Sequence, residues 1–251
     1  MKIMSWNING FESAIHKGQL EPLLELAPDI ICLQEIKCSS ENLLKQFAEN
    51  YHFDCIYSLA QKKGYSGVVV FTKKQCELYS KSSGNARMDA DGRYLRLDFG
   101  DFILYNIYML HGNRDKRDYQ PKMEACKHLI KIWNQDLEDN REVIVATDFN
   151  IAHDDIDVCL FKSNRRNIMF TEKERMVIDA VPLNDAFRVK YKEKVSYSWW
   201  TYAYHARERD IGWRIDYFFV SDGMMHRIKD VEYMKDIAGS DHCPLLMNVV
   251  S

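Results

Sequence analysis

The sequence predicts an α/β domain in which covered sheets are interleaved with helices. Three observations carry this reading. Continuous apolar, β-branched runs recur at Ile30-Ile31-Cys32-Leu33, Val68-Val69-Val70-Phe71 and Val143-Ile144-Val145-Ala146, the pattern of strands buried on both faces. Between them, Leu20, Leu23, Leu24 and Ala27, and later Met123, Cys126, Ile130 and Trp133, fall at helical spacing. The 251 residues contain no repeat, low-complexity linker or Pro/Gly-rich hinge, so one compact domain is the simpler organisation.

Taken in order, Met1 to Asn7 reads as a short strand followed by a turn at Asn9-Gly10. A helix is predicted over 19–27. Pro28-Asp29 then introduces the first buried run, which stops at Gln34-Glu35. Residues 40–49 read as a helix, and Gly64-Tyr65-Ser66-Gly67 precedes the second run. Alternation over 94–99 and strand-like residues over 102–108, joined at Gly100-Asp101, predict a hairpin. A polar, basic loop (111–117) leads into a helix over 119–137, and the third run closes on Thr147-Asp148-Phe149-Asn150. The stretch 151–210 is irregular, with a helix cue at Thr171-Glu172-Lys173-Glu174 and an aromatic cluster at 197–202. Residues 214–220 give a last strong strand before the loop Gly239-Ser240-Asp241-His242-Cys243-Pro244 and a final apolar run from Leu245.

The charge balance, 34 Lys plus Arg against 37 Asp plus Glu for a net charge of -3, excludes a globally basic nucleic-acid binder. A nucleic-acid partner must be met by a local basic face, or by a metal that cancels clustered carboxylates. Seven cysteines, odd in number and without a C-x-x-C pair, read as buried thiols of a reducing cytosol, not a disulfide frame or zinc site. No secretion signal is read at the amino terminus, and no stretch approaches membrane-spanning length.

The polar residues that end the buried runs carry the chemistry: Asn7, Glu35, Asp148 with Asn150, Asp216 within its strand, and the Asp241-His242 pair. Each has a bland alternative. Asp148 and Asn150 suit an Asx turn, Asp216 could pair with Arg214, and an Asp-His pair can be an ordinary loop. Together, on strand ends that share one rim, they form a set suited to metals and phosphates. Glu35, with Asp241, offers hard oxygen ligands with no thiolate, which suits Mg²⁺, or Mn²⁺ in its place, and therefore a phosphoester substrate. In that set Asp148 can deprotonate water, Asn150 and Asn7 can donate to phosphate oxygens, and His242 can hold another, oriented by Asp216.

The segments Ser5-Trp6-Asn7-Ile8-Asn9-Gly10, Leu33-Gln34-Glu35-Ile36-Lys37, Gly64-Tyr65-Ser66-Gly67-Val68, Asp148-Phe149-Asn150, Gly212-Trp213-Arg214-Ile215-Asp216-Tyr217 and Gly239 to Pro244 resemble the exodeoxyribonuclease III type of abasic-site endonuclease. That type belongs to the endonuclease/exonuclease/phosphatase superfamily. The resemblance runs in order from about residue 2 to 249. It implies a four-layer α/β sandwich, two packed mixed β-sheets flanked by helices, and a monomer acting on duplex DNA with abasic sites in the cytoplasm, or in the nucleus of a eukaryote. It further implies Glu35 as principal metal ligand with Asp241, Asn7, Asn9, Asp148 and Asn150 around the metal, and Asp148, His242, Asp216, Asn150, Tyr108 and Asn7 as the catalytic set. Against DNA it implies Lys63, Tyr65, Asn113, Arg114, Arg165, Trp199, Trp213 and Ala203. The tryptophans, with Leu183, fit either core or the apolar wall for a baseless sugar.

Three departures from that pattern stand out. Thr147 occupies the position of a usual glycine and is expected to restrict the loop there. Asn9 replaces an Asp of some members and removes a charge near the metal. Ala203 replaces a bulky wedge and predicts weaker insertion into the minor groove. Phosphate contacts are expected from Lys62-Lys63, Arg114 with Lys116-Arg117, Arg165-Arg166 and Arg207-Arg209. The expected activity is cleavage 5′ to an abasic site with 3′-end trimming. The alternatives are a phosphatase or phosphodiesterase of the same superfamily acting on another phosphoester, and a DNA-binding relative whose chemistry lapsed at Thr147.

Overall fold

Strand β1 (Lys2–Asn7) sets the architecture through its alternation. Ile3 joins a core on one face of the strand, while Met4 and Trp6 join a separate core on the other. The computed structural model describes residues 1–250. With strands numbered in chain order, the first sheet runs β11 (Ile228–Tyr233), β12 (Leu245–Val249), β1, β2 (Ile30–Gln34), β4 (Val68–Thr72), β3 (Asp54–Ser58). The second runs β5 (Leu78–Ser80), β6 (Tyr94–Asp98), β7 (Ile103–Tyr108), β8 (Val143–Asp148), β10 (Asp216–Val220), β9 (Asn184–Asp185). Both are mixed, with β1–β2 and β7–β8 the parallel pairs.

The two sheets face each other across a core containing Ile3, Ile30, Cys32, Val70, Leu104, Ile144, Ala146, Phe218 and Met247. Helices α1 (Phe11–His16), α2 (Glu21–Glu25) and α3 (Glu41–Tyr51) cover the outer face of the first sheet, burying Phe11, Leu23, Leu44 and Phe47 against Trp6, Leu33 and Phe71. The long helix α5 (Tyr119–Glu138) and α7 (Glu172–Asp179) cover the second, where Cys126, Leu129, Trp133 and Ile178 meet Tyr105, Val145 and Phe219. This is the expected four-layer sandwich. Short helices α4 (Ala86–Ala90), α6 (Phe161–Asn164), α8 (Ala186–Lys190) and α9 (Asp222–Arg227) fill the connections.

The expected strands and long helices are present, and their ends have local causes. Ser40 caps α3 by accepting from Asn42 N, and the cue at Thr171 and Glu174 is a capping box that starts α7. The helix expected over 19–27 shrinks to α2, which begins around Pro22 and ends before Ala27 turns left-handed at φ 49. The strand expected from Arg214 begins at Asp216, because Arg214 turns its side chain into a buried cluster. Its Nε reaches Asp157 at 2.7 Å and its Nη1 reaches Asp185 at 2.7 Å. The pairing considered for Asp216 and Arg214 is therefore replaced by these two.

Strands β3, β5, β9 and β11, unanticipated from the sequence, stand at the sheet edges. In β11 charged, exposed residues protect the edge and break up the apolar signal, whereas β5 and β9, three and two residues long, are too short to give one. All seven cysteines are free, but Cys55, Cys76 and Cys159 are only half-buried, a correction to the expectation of uniformly buried thiols.

Candidate active site

The alternation that places Ile3 between the sheets also brings the polar strand ends together there. Asn7 ends β1, Tyr108 ends β7 and Asp148 ends β8, while Asp216 begins the antiparallel β10. All four lie at one rim. Asp148 is directly paired in register with Asp216 on one side and with Tyr108 on the other. Thr147 is inside β8, between Ile107 and Tyr217 of the helix-facing core. The loop restriction expected from Thr147 therefore does not arise: its side chain points away from the rim, as strand parity requires.

At the centre, Asn7 Nδ2 donates to Asp148 Oδ2 at 2.8 Å and to Glu35 Oε2 at 3.0 Å. The backbone N of Asn150 donates to Asp148 Oδ1 at 3.0 Å, so the Asx turn forms inside the site, and Asn150 Nδ2 is anchored on Met109 O at 3.0 Å. His242 lies 2.9 Å through Nδ1 from Asp216 Oδ2, and its Nε2 is 3.7 Å from Asp148 Oδ2. Asp216 is held in turn by its backbone N, which donates to Ser198 Oγ at 3.1 Å. Ser240 Oγ donates to Asn7 O at 2.8 Å, fastening the Asp-His loop to β1.

Glu35 stands just past β2 in the left-handed region at φ 51. A glutamate there costs about 1 kcal/mol or more and is held by its surroundings. The holding bonds are Ile36 N to Gly67 O at 3.2 Å and Lys37 N to Ser66 O at 2.8 Å. Gly67 sits at φ 86, and a Cβ there would meet Ile36 Cγ1 at 2.9 Å, so the Gly64–Gly67 segment can approach Glu35 only with glycine in that place.

The electrostatics follow from burial and crowding. Burial, then the facing Asp216 carboxylate, push the Asp148 carboxyl well above the usual carboxylate range. Burial opposes charge on His242, but Asp216 and Asp148 outweigh it and hold the imidazolium. Burial also raises the Tyr108 phenol, reinforced by Glu35, while Arg93 Cζ lies over the Tyr108 ring at 4.5 Å from its centroid. The rim's ligand-type groups are carboxylates, amides and one imidazole, a set that fits a hard divalent cation.

The ligand-type atoms of Asp148, Asp216 and His242 lie within 4.8 Å of one another. Glu35 and Asp241, expected as the leading oxygen ligands, stand outside that group. Glu35 meets Asp148 through Asn7, and its Oε1 carries Lys37 Nζ at 2.9 Å. Asp241 accepts from Asn9 Nδ2 at 2.9 Å and Trp199 Nε1 at 3.0 Å. Burial would raise this carboxyl, yet His242, Trp199 and Asn9 hold it below its ordinary value. Asn7 faces both carboxylates with its NH₂, a donor and not a ligand in this arrangement.

Beside the dyad, Trp199 and Trp213 are half-buried and meet edge to face at 6.4 Å, with Phe170 and Ile215 behind them. They form an apolar wall. Leu183 is in the helix-facing core and takes no part in it. Lys63, Arg114 and Arg165 are exposed, Arg165 pairing with Asp155 at 2.7 Å. Tyr65 accepts from Arg93 Nη2 at 3.0 Å, and Asn113 is bonded within its own loop to His111 and Asp118. Ala203 sits on an exposed turn, but Tyr202 and Tyr204 beside it are 74% and 83% exposed, so the turn does not lack bulk. Arg207, expected on phosphate, is turned onto backbone carbonyls.

Nothing in the sequence marks the supporting roles of Arg93 and Ser198, or of Ser240 within the Asp-His loop. Their signals, one buried arginine after Asp91-Gly92 and two isolated serines, look like ordinary loop residues until the loops are folded.

Residues 4–242 match the Endonuclease/Exonuclease/phosphatase family. The sequence is 36% identical over 258 residues to an exodeoxyribonuclease of Bacillus subtilis (strain 168), covering 99% of this chain and 100% of that protein. It is 31% identical over 263 residues to the DNA repair nuclease APEX1 of Danio rerio, covering 98% of this chain and 81% of that protein. The structure superposes on an AP endonuclease from Archaeoglobus fulgidus with a TM-score of 0.90 at 24% identity, covering 99% of both chains. The match over nearly the whole chain, joined to a rim of Asp, Asn and His at the strand ends, means that the chain belongs to the Endonuclease/Exonuclease/phosphatase family.

Proposed function

We propose that this DNA repair nuclease hydrolyses the phosphodiester 5′ to an abasic site in duplex DNA, leaving a 3′-hydroxyl, and also trims blocked 3′ ends. The observation that carries the reading is the His242–Asp216 dyad beside Asp148, with the Trp199–Trp213 wall adjoining it. Asp148, positioned by Asn7 and Asn150 N, takes the proton from the attacking water as its oxygen bonds to phosphorus and the P–O3′ bond breaks. The leaving 3′ oxygen takes up a proton from solvent to become the 3′-hydroxyl. The His242 imidazolium, kept charged by Asp216, donates to a non-bridging phosphate oxygen as negative charge builds there. Tyr108 and the Asn150 side chain flank the same oxygens. A Mg²⁺ ion, with Mn²⁺ as substitute, bound by Asp148 and Glu35 with Asp241 and Asn9 nearby, would supply a Lewis acid.

The apolar wall suits a sugar without a base, and an abasic nucleotide swings out of the helix with no base to unstack or unpair. Exposed Lys63, Arg114 and Arg165 would meet phosphates on either side. The seven free thiols fit a reducing compartment.

The test is a duplex bearing one abasic analogue, incubated with magnesium, with and without chelator. Incision on the 5′ side only when magnesium is free is expected. Failure to cut, together with turnover of a small phosphoester, would shift the reading to a non-DNA phosphodiesterase. Binding without turnover on any substrate would mean lapsed chemistry.

A further inference from the structure

The turn after the exposed tyrosines directs one guanidinium inward. Arg207 Nη1 donates to Ser240 O at 2.7 Å and His242 O at 3.4 Å, while Nη2 donates to Ile237 O at 2.8 Å and Lys235 O at 3.1 Å. Its carbon Cζ lies 4.9 Å from the Trp200 ring centroid. Among the described residues no carboxylate is within ion-pair distance of Arg207. This half-buried cation is therefore held by the dipoles of backbone carbonyls on the segment that carries Asp241 and His242.

A guanidinium suits that task because its donors form a rigid planar fork, whereas an ammonium is a point charge on a flexible stem. With both terminal nitrogens on carbonyls, Arg207 has little left to offer a DNA phosphate. The His242 carbonyl is also held by Trp6 Nε1 at 3.0 Å. The backbone beneath the imidazole is thus pinned from two elements distant in sequence, although Arg207 makes no bond to the ring.

We propose that Arg207 is a positioning residue: it braces the Lys235–His242 segment so that the His242 ring stays aligned between Asp216 and Asp148. This rests on the reading of His242 as catalytic. The same side chain also borders the turn of exposed tyrosines. Arg207, Tyr202, Ser240 and Asp241 line one cavity of about 160 Å³, and Tyr202 Oη lies 3.5 Å from Asp241 Oδ1.

The experiment compares Arg207→Ala, Arg207→Lys and His242→Ala in the full chain, with steady-state cleavage of the abasic-analogue duplex. Misplacement of a reacting group by about 1 Å costs roughly 100-fold, so Arg207→Ala is expected to lose about 10- to 100-fold in kcat with KM little changed. Arg207→Lys is expected to fall between. Added ethylguanidinium should restore kcat of Arg207→Ala where ethylamine does not. A rise in KM at unchanged kcat would identify a phosphate contact and overturn the proposal. So would unchanged kcat, or a folded Arg207→Ala that ethylguanidinium fails to rescue. If Arg207→Ala does not fold, the kcat and KM of Arg207→Lys decide in the same way. Should His242→Ala keep wild-type activity, the catalytic reading of His242 fails, and the brace proposal fails with it. An inactive His242→Ala beside an unaffected Arg207→Lys and Arg207→Ala sinks the brace alone.

Discussion

Asp148 and Asp216 stand directly opposite one another across β8 and β10, both buried between the sheets. Like charges facing each other on neighbouring strands destabilise a sheet. The arrangement survives because His242 lies 2.9 Å from Asp216 and 3.7 Å from Asp148, offering one imidazolium to two carboxylates. Removing one acid should therefore separate stability from function. Asp148→Asn is expected to lower turnover by about two to four orders of magnitude and, with chelator present, to raise the thermal midpoint. An Asp148→Asn variant that melts earlier than wild type, or cuts at a near-normal rate, contradicts this account.

His242→Ala tests the same triangle from its cationic corner. Without the imidazolium, burial and mutual repulsion act on both carboxylates unopposed. Turnover should fall by about two to four orders of magnitude, and in chelator the variant should be less stable than wild type, the reverse of Asp148→Asn. Single-turnover cleavage and thermal melting of the two variants side by side provide the check.

Thr147 gives a prediction in the other direction. Its Oγ1 is buried with no partner, on the helix-facing side of β8. A buried hydroxyl without a hydrogen bond costs about 1–3 kcal/mol, whereas an apolar group of the same shape carries no such penalty. Thr147→Val should stabilise the protein by about 1 kcal/mol and leave kcat unchanged. Denaturant unfolding and steady-state cleavage measure the two halves; a large loss of activity would mean that the Thr147 side chain matters to the rim after all.

The central strands were legible as continuous apolar runs, and Asn7, Asp148 and Asp216 as polar residues at the ends of such runs. Asn7, Asp148 and Asp216 continue the inward parity of Ile3, Ala146 and Phe218, so a polar residue at a run's end marks a place between the sheets. Tyr108 shares the parity of Leu104 but reads in the sequence as an ordinary strand aromatic, and only the family resemblance points to it. The edges were not legible, since β11 mixes Lys229, Asp230 and Glu232 with its buried Ile228, Val231 and Tyr233. Nor were the supports of the site. Arg93 and Arg207 act through backbone carbonyls and Ser198 through backbone N–H groups of other segments, and no local pattern encodes a backbone group that arrives from elsewhere. The redirection of Asp241 onto Trp199 and Asn9 was hidden for the same reason.

The Trp199–Trp213 wall predicts how lesion preference is lost. If the wall receives the extrahelical sugar, Trp213→Ala should reduce cleavage of abasic duplex much more than 3′-end trimming, which needs no flipped nucleotide. An edge-to-face aromatic pair contributes about 0.5–1.5 kcal/mol beyond its buried area, so a modest loss of stability is also expected. Equal losses on both substrates would assign the pair to core packing. Running both substrates at two salt concentrations separates this from backbone binding, which weakens uniformly as salt rises.

Acid stability should depend on Asp157, remote from the rim. Burial alone would raise this carboxyl, but Arg214, at 2.7 Å and 2.8 Å, together with Arg188, holds it below the usual carboxylate range. The unfolded chain then binds a proton at about pH 3.9, above the value of the folded form. The stabilisation is therefore fully present above that pH and drains away as pH falls through the lower folded value. Breaking a buried ion pair costs about 3–5 kcal/mol, so Asp157→Asn should be less stable than wild type by roughly that amount at pH 7. The gap should narrow steadily as the solution is acidified below about pH 4, because wild type loses what the variant never had. Urea unfolding of both proteins between neutral and acid pH measures it, and a gap that stays constant with pH would mean that Asp157 is not held as a carboxylate by its two arginines.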